Sequence, residues 1–482
     1  MIRISDNFKT DDKKLAALYE GAKSSLMGGV KQFGDYCLAV RSSEDDRVSA
    51  ATEIMSAETL ARYDIETALE CVRAFLATLR EDGRMAGEIV KKQDGIFCDY
   101  SRLSGFCIAE EALSLFYMSK KKELTYLGRV YDALKRFDGY LWNTHDCNRN
   151  GFLELFSEKE LAYGVDPERY TPVKKNEDGE VSEISPFPVE TGLFNAFAYR
   201  LKRTLGQIAE HLKNGEAEKY SIEADRLFEE FKKRFWSEES AACYDRDYRG
   251  EPISYLGMEN LFMMYYGAFD KDMAESFVNK HLINPDEFFT KFPLPEIPAD
   301  LGGMVWGATY RKMIKALERY GFNRELAAIG EMVLGGLCEM PAFTELYDPG
   351  TCEPIKKNVC ADYVPTATAV IELIARFYGV SLDLDRVIWG AKGHNGESTS
   401  EYSFGWGSDT YSVFAERETS SGFINGKLLF TVTNGVKVVT DWFGDEPEVL
   451  NITSDTIDCI FVYRDRTYSF TLEPNGVWTP QM

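Results

Sequence analysis

The chain has 482 residues, a formal net charge of −23 and an apolar share of 44 %, which allows one large domain plus a smaller one around an ordinary soluble core. That charge excludes nucleic acid and anionic membrane surfaces as expected partners, because their phosphates would be repelled, and leaves a neutral small molecule or oligosaccharide as the expected ligand. Only four histidines occur (His145, His211, His281, His394), none at metal-ligand spacing, and the ten cysteines form no Cys-x-x-Cys pair, so zinc sites, histidine-based triads and a disulfide framework are not expected.

In chain order, the polar opening from Met1 to Lys14 has no apolar run of signal-peptide type, and no later stretch is apolar for long enough to span a bilayer. A cytoplasmic protein without a membrane partner is expected. From about Asp11 to Val380 apolar residues recur at three and four spacings, which predicts helix after helix. One kind of helix carries a heavily charged face: Asp11 to Met27, Asp64 to Asp82, Lys120 to Trp142, Gly215 to Trp236, Asp270 to Leu282 and Asn323 to Glu339. The other kind is nearly all apolar or small: Val48 to Tyr63, Arg102 to Met118, Val189 to Leu212, Tyr255 to Phe269, Met304 to Tyr320 and Tyr363 to Tyr378. The two kinds alternate strictly, as outer and inner members of a double ring of six helix pairs would.

The connections alternate as well. Inner-to-outer links are a few residues, whereas outer-to-inner links are long, covering Val30 to Arg47, Glu81 to Ser101, Asn143 to Phe187, Ser237 to Ser254, Ile283 to Leu301 and Glu339 to Asp362. In such a ring every long link emerges at one end, and long links of this kind usually carry function. Beyond Val380 the pattern changes to short alternating runs, at Asp409 to Glu416, Lys427 to Thr433, Val436 to Phe443, Cys459 to Tyr463 and Tyr468 to Leu472, with Asn-Gly turns at 425, 434 and 475. These predict a small all-β domain, a sandwich.

The segment Phe343-Thr344-Glu345-Leu346-Tyr347-Asp348-Pro349-Gly350-Thr351-Cys352-Glu353-Pro354 closes the last long link with three acids, two aromatics and a Pro-Gly turn. Glycoside hydrolysis needs one ionised carboxylate to activate water and one protonated carboxyl to donate to the leaving oxygen, around a sugar that packs on aromatic rings. The same composition also suits an ordinary solvated turn. No glycine-rich phosphate loop or Gly-x-Gly-x-x-Gly is present, so nucleotide chemistry has no foothold and no cofactor is expected.

The segment resembles the Phe-x-Glu-x-Tyr-Asp/Asn-Pro-x-Thr-Gly stretch of the (α/α)6-barrel glycoside hydrolases that include mannosylglycerate hydrolase, processing α-glucosidase and, more distantly, trehalase. Three further stretches are similar to the group's motifs and keep their order. Asp146-Cys147-Asn148-Arg149-Asn150-Gly151-Phe152-Leu153-Glu154 looks like its Asn-Gly turn, Gly303-Met304-Val305-Trp306-Gly307-Ala308-Thr309-Tyr310 like its tryptophan segment, and Leu317-Glu318-Arg319-Tyr320-Gly321 like its Leu-x-Arg-Tyr-Gly.

The resemblance implies a mainly α fold, an (α/α)6 barrel over residues 1–380 followed by a small C-terminal β-sandwich over 381–482. It implies an inverting hydrolase of an α-linked gluco- or manno-type glycoside, with Glu345 as general base and Asp166, in Tyr163-Gly164-Val165-Asp166-Pro167-Glu168-Arg169, as general acid. Trp306, Tyr310 and Tyr347 are candidate sugar-stacking aromatics, and Tyr100, Arg102 and Glu190, which open inner helices, are candidate partners of sugar hydroxyls. The sequence also departs from the group: the Asn-Ser after Asp166 is missing, Gly302 and Thr309 replace arginine and asparagine, and no Trp-Asp pair opens the first inner helix near Ala51-Thr52.

Two rivals therefore stand, a carbohydrate-binding relative without catalysis and a lyase or phosphorylase on the same fold. The low histidine count and acidic balance weigh against the lyase. The Asp146 to Glu154 turn shares the opening spacing of a calcium loop, but its twelfth position is Ser157 rather than glutamate; no metal is expected.

Overall fold

The computed structural model describes residues 3–103, 108–160, 170, 173–175, 181–183, 186–356, 360–394 and 396–480. Among them are twelve α-helices, α1 (Lys13–Gly28), α2 (Ile54–Leu60), α3 (Ile65–Ala77), α4 (Ile108–Met118), α5 (Leu124–Thr144), α6 (Gly192–Leu212), α7 (Ala217–Phe235), α8 (Glu259–Tyr265), α9 (Lys271–Phe277), α10 (Thr309–Tyr320), α11 (Asn323–Glu339) and α12 (Val364–Tyr378). Their starts follow local chemistry. The carboxylates of Asp12, Asp64 and Asp270 and the Thr191 hydroxyl accept backbone N–H groups of the first turns of α1, α3, α9 and α6, satisfying donors that have no helical partner. Pro365 sits in the first turn of α12, where its missing N–H costs nothing.

The even-numbered helices form the inside. α2 packs on α4, α4 on α6, α6 on α8, α8 on α10, α10 on α12, and α12 back on α2. Most odd-numbered helices lie against these from outside, among them α1 on α12, α3 on α2 and α7 on α6. Burial follows the same division: every described residue of α12 is buried, whereas α7 buries one stripe of Tyr220, Ala224, Leu227, Phe231 and Phe235. The inner helices begin later than their apolar stretches suggest. α2 starts at Ile54 rather than Val48, and α10 at Thr309 rather than Met304, because the residues ahead of them run in short strands, Arg47–Ser49 and Val305–Trp306.

The inner helices are also not purely apolar. Arg311, fully buried, reaches Glu58 and Glu372; Lys315 reaches Glu58 and Glu111; Arg376 reaches Glu318 and Glu372. Buried charges persist only when paired in this way.

The C-terminal region forms two facing antiparallel sheets. In one, the strands at Ser400–Trp406, Asp409–Ala415, Thr419–Ile424, Lys427–Thr433, Ile457–Tyr463 and Arg466–Leu472 follow one another; the other is built from Val380–Asp383, Arg386–Ala391, Val436–Asp441, Glu448–Asn451 and Val477–Trp478. Trp389 of the second sheet meets Tyr411 and Phe430 of the first, with ring centroids 5.7 and 5.6 Å apart.

The first sheet gains a strand from the other end of the chain. Ile4–Thr10 pairs antiparallel with Ser400–Trp406, with Ile4 opposite Trp406 and Thr10 opposite Ser400. The polar opening of the sequence is thus part of the C-terminal sheet. Its inward positions are Asp6 and Phe8, so the usual apolar alternation is broken by an acid, and that acid is neutralised by Arg62 of the α2–α3 turn. Arg62 also donates to the Val380 carbonyl at 2.5 Å and to the Tyr402 hydroxyl at 2.9 Å. One buried guanidinium therefore joins the helical layer, the first strand and the second sheet's start. Trp406, buried, adds an indole N–H donated to the Met118 carbonyl at 2.6 Å.

Candidate active site

Four of the six long outer-to-inner connections meet in one cavity of about 260 Å3 at the N-terminal ends of the inner helices. The α1–α2 connection supplies Arg41 and Arg47, the α3–α4 connection Glu88 and Arg102, the α9–α10 connection Glu296 and Trp306, and the α11–α12 connection Glu345 and Leu346. Glu53 and Tyr363, at the heads of α2 and α12, line it too. A larger hollow of about 750 Å3 is lined by α5, α6 and α7 and by Asp146, Arg149, Asn150 and Gly151 of the α5–α6 connection, and shares no residue with the Glu345 cavity.

Glu345 is held on every side. Its backbone N–H donates to the Cys360 carbonyl at 3.0 Å, and its carbonyl accepts from Gly307 N–H at 2.9 Å. The next residue, Leu346, pairs across a two-residue ladder with Trp306. This close crossing requires a glycine at 307, since a Cβ there would lie 1.8 Å from Thr366 Oγ1. The carboxylate is gripped as well: Arg41 forms an ion pair with Oε1, and Cys360 N–H donates to Oε2 at 3.2 Å. Arg41 is itself fixed, because its carbonyl accepts from Val364 N–H at 3.0 Å at the start of α12.

Glu53 is 3 % exposed. Its Oε2 accepts from Ser49 N–H at 2.7 Å and its Oε1 from the Tyr363 hydroxyl at 3.4 Å. Burial pushes the Glu53 carboxyl up to about 7, with Arg41 the chief opposing influence. Burial likewise raises Glu88, against the pull of Arg102 and Arg47. The cavity thus offers a fixed, arginine-paired carboxylate, a buried carboxyl raised to about 7, and an indole.

Of the candidates read from the sequence, Glu345, Trp306 and Arg102 come together here. Arg102 lies 3.6 Å from Asp99, both partly exposed. Asp166 lies outside the described residues. Tyr310 and Tyr347 do not line the cavity: both are buried, and their hydroxyls donate to the carbonyls of Pro293 at 2.8 Å and Ala342 at 2.6 Å. They pack against Phe292 beneath the site instead of facing a ligand. Tyr100 likewise donates to the Thr78 carbonyl at 2.7 Å and stacks under the Arg80 guanidinium.

Glu190 lines a different hollow of about 280 Å3 with Asn148, Glu154 and Asp247, where it is tied to Asn150 at 2.6 Å and Arg234 at 2.7 Å. In the neighbouring turn, Glu154 accepts from Cys147 N–H and Asn148, and Asp146 from Gly151 N–H. Among the described residues no group of His, Cys, Asp and Glu is arranged to hold a metal.

Residues 109–359 match the family model described as mannosylglycerate hydrolase MGH1-like glycoside hydrolase domain. The chain belongs to this glycoside hydrolase family. Among solved structures, it is similar to the GH63 mannosylglycerate hydrolase of Thermus thermophilus in complex with glucose, at 16 % identity, over 74 % of this chain and 99 % of that one, with a TM-score of 0.60. A GH78 family rhamnosidase of Bacillus sp. GL1 is similar over 86 % of this chain and 40 % of its own, at 14 % identity and a TM-score of 0.61. Neutral trehalase of Saccharomyces cerevisiae follows at 14 % identity, over 70 % and 74 %, with a TM-score of 0.51. No curated protein sequence matches significantly. At such identities the structural likeness speaks for the fold. Among the described residues no helix is long and apolar enough to cross a membrane.

Arg41, Glu53 and Glu88 went unread in the sequence. The one available signal was their position in, or just after, two of the long connections.

Proposed function

We propose that the chain hydrolyses an α-linked gluco- or manno-type glycoside by single displacement with inversion, on an (α/α)6 barrel that runs from α1 to α12, about residues 13–378. Glu345 deprotonates the attacking water, and Asp166 protonates the leaving oxygen, as the resemblance of its segment implies. The observation that carries the reading is the setting of Glu345 in a glycoside hydrolase domain: a carboxylate whose backbone and both oxygens are pinned, in the cavity where four long connections converge. A base must be held within hydrogen-bond reach of its water in a productive pose, and pinning of this kind supplies that. Trp306 supplies the apolar surface on which a pyranose face packs. No cofactor takes part.

The test is hydrolysis of a panel of α-glucosides and α-mannosides, trehalose and mannosylglycerate included, followed by chromatography of the released sugars. Release of a monosaccharide by the wild-type chain, reduced at least about a hundredfold in Glu345→Gln, is expected from loss of a general base. Equal turnover by the two proteins would reject the site.

A further inference from the structure

Glu53 is one of three acids that share the cavity with Glu345 and that no sequence motif marks. One of its oxygens is committed: Oε2 accepts the Ser49 N–H at 2.7 Å. The Thr52 side chain also hydrogen-bonds the carboxyl, while the other oxygen, Oε1, meets the Tyr363 hydroxyl at 3.4 Å, a length at which a hydrogen bond contributes little. A polar group of a ligand can displace such a contact.

The charges around Glu53 come from each element packed on it. Arg41 approaches from the α1–α2 connection, Glu88 from the strand Glu88–Lys92, and Tyr363 from the head of α12, with Glu345 on the far side of Arg41 and Arg47 and Arg102 in the cavity wall. The Arg41 guanidinium gives its hydrogen bond to Glu345. One arginine thus acts on two carboxyls, and the buried one, to which it gives no hydrogen bond, is raised by its burial.

We propose that Glu53 is a substrate-contacting residue, its Oε1 giving a hydrogen bond to a sugar hydroxyl in the cavity it shares with Glu345. The inference rests on reading that cavity as the sugar site. The raised Glu53 carboxyl, at about 7, agrees with the geometry. Its proton stays on Glu53 throughout, which separates this role from that of the general acid.

Glutamine copies this group, its carbonyl accepting from Ser49 N–H and its amide donating into the cavity; alanine copies neither feature. Calorimetric titration of full-length wild type, Glu53→Gln and Glu53→Ala with D-glucose and D-mannose, at pH 6 and 8.5, tests it. Glu53→Gln should bind the preferred sugar like wild type at pH 6, and Glu53→Ala should bind it about threefold to tenfold more weakly, the worth of one hydrogen bond. Raising the pH should weaken wild-type binding and leave Glu53→Gln unchanged, a comparison that stands even where the alanine variant fails to fold.

Binding that does not respond to pH in wild type, or a glutamine variant as weak as the alanine one, overturns the proposal, as does failure of both sugars to bind wild type. Sugar binding with this pH response in a chain that cleaves no glycoside would uphold the Glu53 role while rejecting the hydrolase reading. Unimpaired sugar affinity and hydrolysis in Glu53→Ala would do the reverse.

Discussion

Replacing Glu53 by glutamine should change the pH dependence of stability in a way set by its burial. The carboxyl lies 3 % exposed and is raised from 4.5 to about 7 in the folded chain. The folded state then binds this proton more tightly than the unfolded state, so the contribution is fully present below pH 4.5 and is lost as pH rises through about 7. At 1.36 kcal/mol per pH unit, the displacement corresponds to about 3 kcal/mol of wild-type stability lost between pH 4.5 and 8. Glu53→Gln carries no such proton. Urea unfolding of both proteins from pH 5 to 8.5, read by tryptophan fluorescence, should give a stability difference that grows from pH 5 to about 7 and levels off above it. The glutamine variant should become the more stable by up to about 3 kcal/mol. A stability difference that stays constant across that range would refute the claim that burial raises the Glu53 carboxyl.

Other consequences follow from the buried contacts. Arg376→Met removes a fully buried partner of Glu318 and Glu372 and should cost about 3–5 kcal/mol, the penalty of stranding buried carboxylates, seen as a lowered urea midpoint. Trp406→Ala vacates the core of the first sheet and breaks the bond to the Met118 carbonyl, which should cost about 3–5 kcal/mol in the same assay. A shift under 1 kcal/mol in either variant would contradict the packing described. Deleting the C-terminal sheets after Tyr378 should give an aggregating fragment, because it strands Arg62 and bares the apolar surface of α12; a soluble, active fragment on size-exclusion chromatography would count against this.

The helical layout was readable because an amphipathic helix announces itself in its own sequence: α11 runs from Asn323 to Glu339, as its periodicity suggests. The first strand was not, since its inward side chains are Asp6 and Phe8, and an acid becomes acceptable there only through Arg62, distant in sequence. The site shows the same division. Glu345 stood out because its loop motif is local, whereas its partner Arg41 lies 304 residues away and has no local mark. Tyr310 and Tyr347 misled for a related reason: an aromatic beside a catalytic loop reads alike whether it faces a sugar or supports the loop from below, and only their hydroxyls' backbone partners decide. The glutamates and arginines of the inner helices were hidden inside apolar patterns, because charges that neutralise one another across a ring leave no periodic trace.

The central claim, that Glu345 activates water for inversion, is tested most directly by proton NMR of the first sugar released from a cleaved α-glycoside. The β-anomer should appear first and mutarotate afterwards, and Glu345→Gln should release no sugar on the same timescale. Initial appearance of the α-anomer, or undiminished release by Glu345→Gln, would contradict it.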